Sequence, residues 1–445
     1  MADQLQVVHG DWVVGHLRRK DDGTLEFAYS ADAVEQSEGQ PLLSVSLPVR
    51  TEPFSQVQLL PVFQGLLPEE NVLTQIARRL QLSPLDVFGL LREIGRDCAG
   101  AFSIVPEAYD LVAAGEEGVD WFSEQDLEDR VRDLSVRPLG VEPDRDIRIS
   151  LAGAQDKMAV VYDGARIGLP RGTTPSTHIL KPASKVLKNE RRGTLAFPGL
   201  VANEAFCMKL ADLAGISAAA VEVISIAKEP ALLITRFDRE TAEPGRVRRL
   251  HQEDFGQALG VPTLKKYEAQ GGPGNTDFVR LIGTYSARAI EDLQGFVDRL
   301  AFNYAIGNAD GHAKNFSLLF GRDGIRLAPA YDLLSTHVYD QLSHDTATQV
   351  GGVYDSRAIQ PIHWQKELEC LDLDRELYAA RLVALADRVE GSLEEARGWI
   401  ANRGLADRRI DEIGQLLLRR AKVLRGIRRL PKRVLGRTKP QNELR

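Results

Sequence analysis

Sulfur and long apolar runs are scarce in this chain. Its 445 residues hold three cysteines and three methionines, and no apolar run approaches the ~18 residues that span a bilayer. Cys98, Cys207 and Cys370 each lie more than 100 residues from the next and form no CxxC pair, so neither a disulfide framework nor a thiolate metal site is expected. The eight histidines are scattered, with no HExxH, and no GxSxG occurs, which argues against zinc hydrolases and triad hydrolases. Asp3 stands where a signal peptide would carry positive charge. The expectation is a cytosolic protein, reduced and free of membrane spans.

With 43% hydrophobic and 27% charged residues the composition is that of a globular protein, long enough for two or three cores of ~100 to 200 residues each. The formal charge of −7 conceals an asymmetry. Arg419 to Arg445 hold eleven Lys or Arg against one Glu, which leaves −17 on residues 1 to 418. Leu416, Leu417, Ala421 and Leu424 fall on one helical face, so the charges read as its solvated side, with nonspecific attraction to nucleic-acid phosphates as the alternative.

Residues 1 to 110 read as short strands followed by helices, and the acidic stretch from Ala108 to Asp146 reads as a connecting region with one helix. From Ile147 to Asp238 strands alternate with turn signals such as Asp163-Gly164, interrupted by the helix LVANEAFCMKLADLAG with Gly215 at its end. After Arg249 the periodicity is helical. The expected organisation is α+β: a small α/β domain plus connector over 1–140, a β-rich lobe over 141–245, and an all-α lobe with a basic tail over 246–445.

The densest polar cluster is GNADGHAKNFSLLF, Gly307 to Phe320. Phe296, Val297, Leu300, Ala301 and Tyr304 mark a core-facing helix that runs into Gly307 and stops. Downstream, NFSLLF and IRLAPAYD flank GRDG as a hairpin. With Phe320 opposite Ile325, Asn315 faces Ala330 and position 313 faces Asp332, bringing Asp332 beside Asn315. Two carboxylates and a carboxamide there would suit Mg²⁺ with phosphate completing its shell, Asn315 and Asp332 holding the metal and Asp310 accepting a hydroxyl proton. Asn and Asp are equally at home as turn and cap residues, and spacing alone leaves both readings open.

A phosphoryl-transfer site also needs an anion cradle and a lysine. RISLAGAQDKMAV, Arg148 to Val160, offers Ser150, Gly153 and Lys157 before a strand, but neither GxGxxG nor GxxxxGK[ST]. In STHILKP, alternation sets Ile179 and Lys181 opposite His178 and Leu180. Lys181 therefore reads either as a phosphate lysine or as a solvated edge-strand lysine.

Taken together, RISLAGAQDKMAV, STHILKP, NEAFCMKLADLAGI, ITRFDR, LHQEDFGQALG, GNADGHAKNFSLLF and LAPAYDLLST resemble the HipA family of serine/threonine kinases, the toxins of HipBA-type toxin–antitoxin modules. FQGLLPEE and GRDCAGAFSIVPE carry the resemblance through the N-terminal domain. It implies a two-lobed, PI3/4-kinase-like fold that uses ATP and Mg²⁺. By the same resemblance Asp310 is the catalytic base, Asn315 and Asp332 are metal ligands, and Lys181 is the ATP-phosphate lysine. Leu151, Ala152, Gly153, Ala154, Gln155, Asp156 and Lys157 match the phosphate-binding loop. Thr235, Arg236 and Phe237 would form the hinge whose backbone reads adenine, and His312 would support the nucleotide site. Ser150 would be autophosphorylated; its phosphate, unable to share the cradle with those of ATP, would swing the loop out toward Arg148 or Arg171 and silence the kinase.

The implied partners are a HipB-like helix-turn-helix antitoxin and, through it, operator DNA. The implied substrate is glutamyl-tRNA synthetase or a related synthetase, whose phosphorylation halts translation and leads to growth arrest and persistence. A small-molecule phosphotransferase would need the same Asp310, Asn315 and Asp332, whereas a catalytically silent protein serving an antitoxin–DNA complex would be expected to have lost one of them.

Overall fold

A computed structural model describes residues 3–107, 118–134, 157–183, 187–189, 193–195, 197–243 and 246–429. Arg148, Ser150 and the expected cradle from Leu151 to Asp156 lie outside the described residues, as does the tail beyond 429.

The chain opens with an antiparallel meander, β1 (Asp3–His9), β2 (Trp12–Arg19) and β3 (Leu25–Tyr29). Helix α1 (Ala31–Gln36), strand β4 (Phe54–Ser55) and helices α2 (Gln56–Gly65), α3 (Glu70–Arg79) and α4 (Val87–Ile94) follow. Strand β5 (Ser103–Pro106) then returns to pair with β1, closing a sheet of order β4-β3-β2-β1-β5. Alternate strand residues such as Leu5, Val7, Leu17 and Phe27 point into one core with Phe63, Leu90 and Leu91 of the helices.

The stretch expected as a connector supplies β6 (Gly118–Trp121) and α5 (Glu124–Asp133). Then come β7 (Met158–Tyr162), β8 (Ile167–Arg171) and β9 (His178–Pro182), a ribbon of β10 (Leu187–Asn189) and β11 (Gly193–Leu195), helix α6 (Leu200–Leu213), and the hairpin β12 (Val221–Ile226) and β13 (Glu229–Thr235). Six of these strands form one sheet in the order β12-β13-β9-β7-β8-β6. Strand β6 is thus an edge of the second sheet, although it precedes position 140.

Side-chain alternation explains how that sheet is used on both sides. Ala231 and Leu233 of β13 pack into the N-terminal core, while Leu232 and Ile234 pack against α6 and the C-terminal half. The N-terminal domain and the second lobe therefore share one core. Strand β9 lies between β13 and β7, so Lys181 is buried in a central strand and the solvated-edge alternative does not hold.

The remaining residues begin with the ribbon β14 (Arg239–Glu243) and β15 (Arg246–Arg249), strand β16 (His251–Asp254) and helices α7 (Phe255–Ala258), α8 (Asn275–Tyr285) and α9 (Ala289–Ile306). They continue with β17 (Ser317–Gly321), β18 (Gly324–Leu327), β19 (Asp345–Val350), β20 (Val353–Asp355) and helices α10 (Pro361–Cys370), α11 (Arg375–Gly391), α12 (Leu393–Ala401) and α13 (Arg408–Gly426). The lobe is helix-dominated rather than all-α. The GRDG hairpin forms with Phe320 opposite Ile325 as expected, and β16 pairs with the free edge of β17 to make three strands. Among the described residues no helix is long and apolar enough to cross a membrane.

Candidate active site

The polar loop is fixed from its first residue. Helix α9 ends in left-handed Gly307, φ +77°, where a Cβ would lie 2.6 Å from Leu416 and 3.0 Å from His337, so only glycine fits. Asn308 then ties two segments together, its Nδ2 donating to Asn303 Oδ1 at 3.1 Å and to the Asp332 carbonyl at 3.4 Å. Its Oδ1 accepts from the Asp310 N–H at 3.0 Å, and the Ala309 N–H donates to Thr336 Oγ1 at 2.9 Å. Asp310 leaves this clamp with its side chain 52% exposed, its carboxylate accepting a hydrogen bond from the Tyr267 hydroxyl and lying 3.8 Å from His312 Nε2. His312 is buried edge-on to Tyr267, with ring centroids 5.0 Å apart. Burial pushes its pKa down, against the opposing pull of Asp310.

Asp332 reaches the site by a different path from the expected one. The hairpin ladder runs only as far as the hydrogen bond from Ala328 N–H to the Ser317 carbonyl. There the chain crosses to residues 217–219, Ala330 bonding Ser217 and Ala219 at 2.8 Å each. Beyond the ladder, Tyr331 meets the loop through its hydroxyl on the Lys314 carbonyl at 2.8 Å, and Asp332 meets it through the carbonyl that Asn308 bonds. Asp332 adopts φ +53°, an unfavourable conformation for a non-glycine residue that a fixed surrounding must impose.

That surrounding is a charge cluster, buried at Lys181 and Glu204 and 34% exposed at the Asp332 side chain. Lys181 donates to Glu204 of α6 at 2.7 Å and also to Asp332. Burial works against the Lys181 ammonium, but Asp332 and Glu204 outweigh it and hold its pKa up. Burial would raise Asp332, yet Lys181 and Lys157 pull it well below the usual carboxylate range. Burial dominates at Glu204, which is raised, and it draws Lys157 down to about 8 despite Asp332. Lys157 and Lys181 thus stand with two carboxylates at the mouth of the second lobe.

Asn315 sits in a single 3₁₀ turn, Ala313–Asn315, and its buried Oδ1 has no hydrogen-bond partner. A buried acceptor with no partner calls for a ligand or water. A carboxamide oxygen of this kind suits a hard cation or a water. No group of three or more His, Cys, Asp or Glu capable of holding a metal occurs among the described residues.

The hinge is only partly free to read a base. The N–H groups of Thr235 and Arg236 donate to the carbonyls of Ala220 and Thr177, at 2.9 and 3.0 Å. The Arg236 guanidinium is buried on Asp238 and Ser176, and Phe237 stacks on Tyr331 at 5.6 Å. Of the three hinge amides, that of Phe237 is left. Arg171, expected as a phosphate anchor, pairs with Asp120 at 3.1 Å on the sheet edge.

Several contributors escaped the sequence reading. Glu204 is the one charge in the buried stretch Leu200–Met208 of α6, which is the signal that could have found it. Glu69 of FQGLLPEE reaches across from the N-terminal domain to Lys266 at 2.6 Å and Lys314 at 3.7 Å, and Lys314 continues to Asp254 at 2.8 Å. Burial is unfavourable for Glu69, but Lys314 and Lys266 bring it down to about 2. The FQGLLPEE and QED motifs are therefore the two ends of a bridge that holds the loop from Asp310 to Asn315.

Comparison with known proteins places the chain among relatives over most of its length. The model of the HipA N-terminal domain matches residues 5–105 and that of the HipA-like C-terminal domain residues 149–396. A putative kinase, Y4mE, of Sinorhizobium fredii is 36% identical over 416 residues, covering 93% of this chain and 96% of that protein. The serine/threonine-protein kinase toxin HipA of Shewanella oneidensis is 30% identical over 405 residues, 88% of each. The solved Shewanella oneidensis HipA, in a complex with HipB and its operator DNA, superposes with a TM-score of 0.79 at 26% identity, over 96% of this chain and 100% of that one.

Proposed function

This chain belongs to the HipA family and is a protein kinase of two-lobed, kinase-like fold; we propose that it phosphorylates serine or threonine in a protein target, with Asp310, Asn315, Asp332 and Lys181 at the reacting centre. The observation that carries this reading is the Lys181 ammonium held between Glu204 and Asp332, and the orphaned oxygen of Asn315 supports it. A strand lysine tied to a helix glutamate, with an aspartate for the metal, is the recurring arrangement of kinase sites. ATP with Mg²⁺, when bound, supplies the phosphoryl group and neutralises the charge that develops on it.

The chain's own residues have these roles. Asn315 and Asp332 would hold the metal. Lys181, kept charged by Asp332 and Glu204, would face phosphate, and Lys157 would add a second positive group. Asp310 accepts the proton of the acceptor hydroxyl after the Tyr267 hydroxyl leaves it; base catalysis of this kind contributes roughly 10²- to 10⁴-fold. The Phe237 amide offers the adenine edge a donor.

The regulation and partners belong to the same proposal. Ser150 is its autophosphorylation site, a modification that silences the kinase. The protein acts as a toxin restrained by a HipB-like helix-turn-helix antitoxin that also bridges to operator DNA, by analogy with the Shewanella oneidensis complex. Its target is an aminoacyl-tRNA synthetase, glutamyl-tRNA synthetase first. Incubation with ATP and Mg²⁺, followed by intact mass and peptide mapping, tests the core of the reading. One phosphate on Ser150, absent from Asp310→Asn, is expected; an Asp310→Asn protein that is phosphorylated as fast as the wild type overturns it.

A further inference from the structure

A second feature of the lobe has a lining that includes none of Asp310, Asn315, Asp332 or Lys181. A cavity of about 420 Å³ opens between α13, the start of α10 and the segments around His337 and Ser356. Tyr304, Ile359, Leu416 and Val423 give it an apolar wall. Its polar wall sets three arginines, Arg357, Arg419 and Arg420, and the imidazoles of His337 and His344 against one acid, Glu412.

Arg420 is the decisive residue. It is 5% exposed, and its guanidinium bonds only neutral groups: the Tyr304 carbonyl, Ser356 Oγ at 2.8 Å and His337 Nδ1 at 3.4 Å. No carboxylate of the described residues forms an ion pair with it. Arg357 is engaged by Asp355 at 2.9 Å, and Glu412 faces Arg408 at 3.9 Å, so Arg419 and Arg420 are the uncompensated charges. His337 and His344 meet Nδ1 to Nδ1 at 2.9 Å, a contact in which one ring must donate and the other accept. Burial, then the charge of Arg420, keeps the His337 imidazole neutral. A buried guanidinium without a counterion is costly to maintain, and an arriving anion would relieve it.

We propose that this cavity binds a small organic anion, its phosphate or carboxylate head on Arg420 and Arg419 and its apolar or aromatic body against Tyr304, Ile359, Leu416 and Val423. The volume is within the range of small-molecule sites, ~300 to 1,000 Å³. The site is joined to the Asp310 loop. The N–H groups of Thr336 and His337 both donate to the Gly307 carbonyl, at 2.9 and 3.2 Å, and Gly307 packs directly on Leu416 and His337. An occupant therefore braces the turn that presents Asp310. That consequence rests on the kinase reading, whereas the binding does not.

The test is calorimetric titration of the full chain with phenyl phosphate, phenylacetate and inorganic phosphate, each with and without a nonhydrolysable ATP analogue and Mg²⁺. Phenyl phosphate or phenylacetate should bind one site whether or not the analogue is present, and whichever binds identifies the head group. Binding should be ~10-fold tighter than for inorganic phosphate, because the body is buried. Arg420→Gln and Arg419→Gln should each weaken it ~10-fold; Arg419 is exposed, so its variant keeps the test valid if the buried Arg420 variant does not fold. The proposal is overturned if neither aromatic probe binds up to ~10 mM, if the ATP analogue displaces them, if inorganic phosphate binds as tightly, or if Arg419→Gln leaves affinity unchanged. Binding that follows this pattern in a protein without phosphoryl transfer would overturn the kinase reading and leave the site standing.

Discussion

The Tyr267 hydroxyl donates to the Asp310 carboxylate, and the Tyr267 ring stands edge-on to His312. Under the proposed mechanism the phenol occupies the position that an acceptor hydroxyl must take. With Asp310 52% exposed, the contact is worth ~1 kcal/mol. Tyr267→Phe should therefore lower KM for the protein acceptor roughly threefold to fivefold, with kcat changed by less than about twofold. Steady-state kinetics decides between two roles: a fall in kcat with KM unchanged would mean that the phenol positions Asp310 rather than competing for it.

Asn315 separates function from stability. Its Oδ1 is buried without a partner, so the folded protein gains little from it. Asn315→Ala should leave the thermal midpoint of the ligand-free protein within about 2 °C, or raise it. The same variant should lose most of the stabilisation that ATP with Mg²⁺ confers on the wild type, and its phosphoryl transfer should fall by ~10²-fold or more. Thermal melts with and without ligand provide the check, and an undiminished ligand shift would remove Asn315 from the metal site.

Lys181 behaves in the opposite way, because it is both structural and functional. Replacing it with methionine leaves Glu204 and Asp332 facing each other without their shared cation. The expected loss is ~3 to 5 kcal/mol in urea unfolding, with no detectable autophosphorylation. Adding Glu204→Gln to Lys181→Met should recover part of the stability and none of the activity. An active Lys181→Met protein would take the lysine out of the reaction.

How legible this was depended on the range of the interaction. Local chemistry could be read: Gly307 ending a helix, Phe320 opposite Ile325, and Lys181 and Leu180 on opposite faces of one strand all follow from turn residues and period-two alternation. Asp332 meets the loop through its carbonyl on Asn308, not through the expected register, which stops at Ser317 and Ala328, where pairing to Ser217–Ala219 takes over. A competing strand distant in sequence gives no local signal. The same holds for Glu69, which meets Lys314 across 245 positions of chain, and for β6, whose four residues GVDW carry too little pattern to show that it caps the second sheet.

The buried contact between Glu253 and the N-terminal domain makes stability depend on pH in a defined direction. Glu253 is buried, with Ser44 Oγ 2.5 Å from its Oε2 and the Val45 N–H 2.9 Å from its Oε1. Burial raises its pKa from 4.5 to about 8, more than these hydrogen bonds lower it. Between those two values the folded protein retains a proton that the unfolded chain releases. Its contribution to stability is therefore complete below pH 4.5 and is lost as pH rises toward 8, by at most ~1.4 kcal/mol per pH unit. Glu69 has the opposite sign: its depressed carboxyl stabilises above pH 4.5, and that benefit is lost as pH falls toward 2. Glu253→Gln keeps a neutral group that can bond Ser44 and Val45, so it should flatten the decline between pH 5 and pH 8 and leave the protein more stable than the wild type at the alkaline end. Urea unfolding at a series of pH values measures this directly. A wild-type stability that climbs steadily from pH 5 to pH 8, with Glu253→Gln following in parallel, would show that Glu253 is ionised in the fold and that Ser44 and Val45 bind a carboxylate.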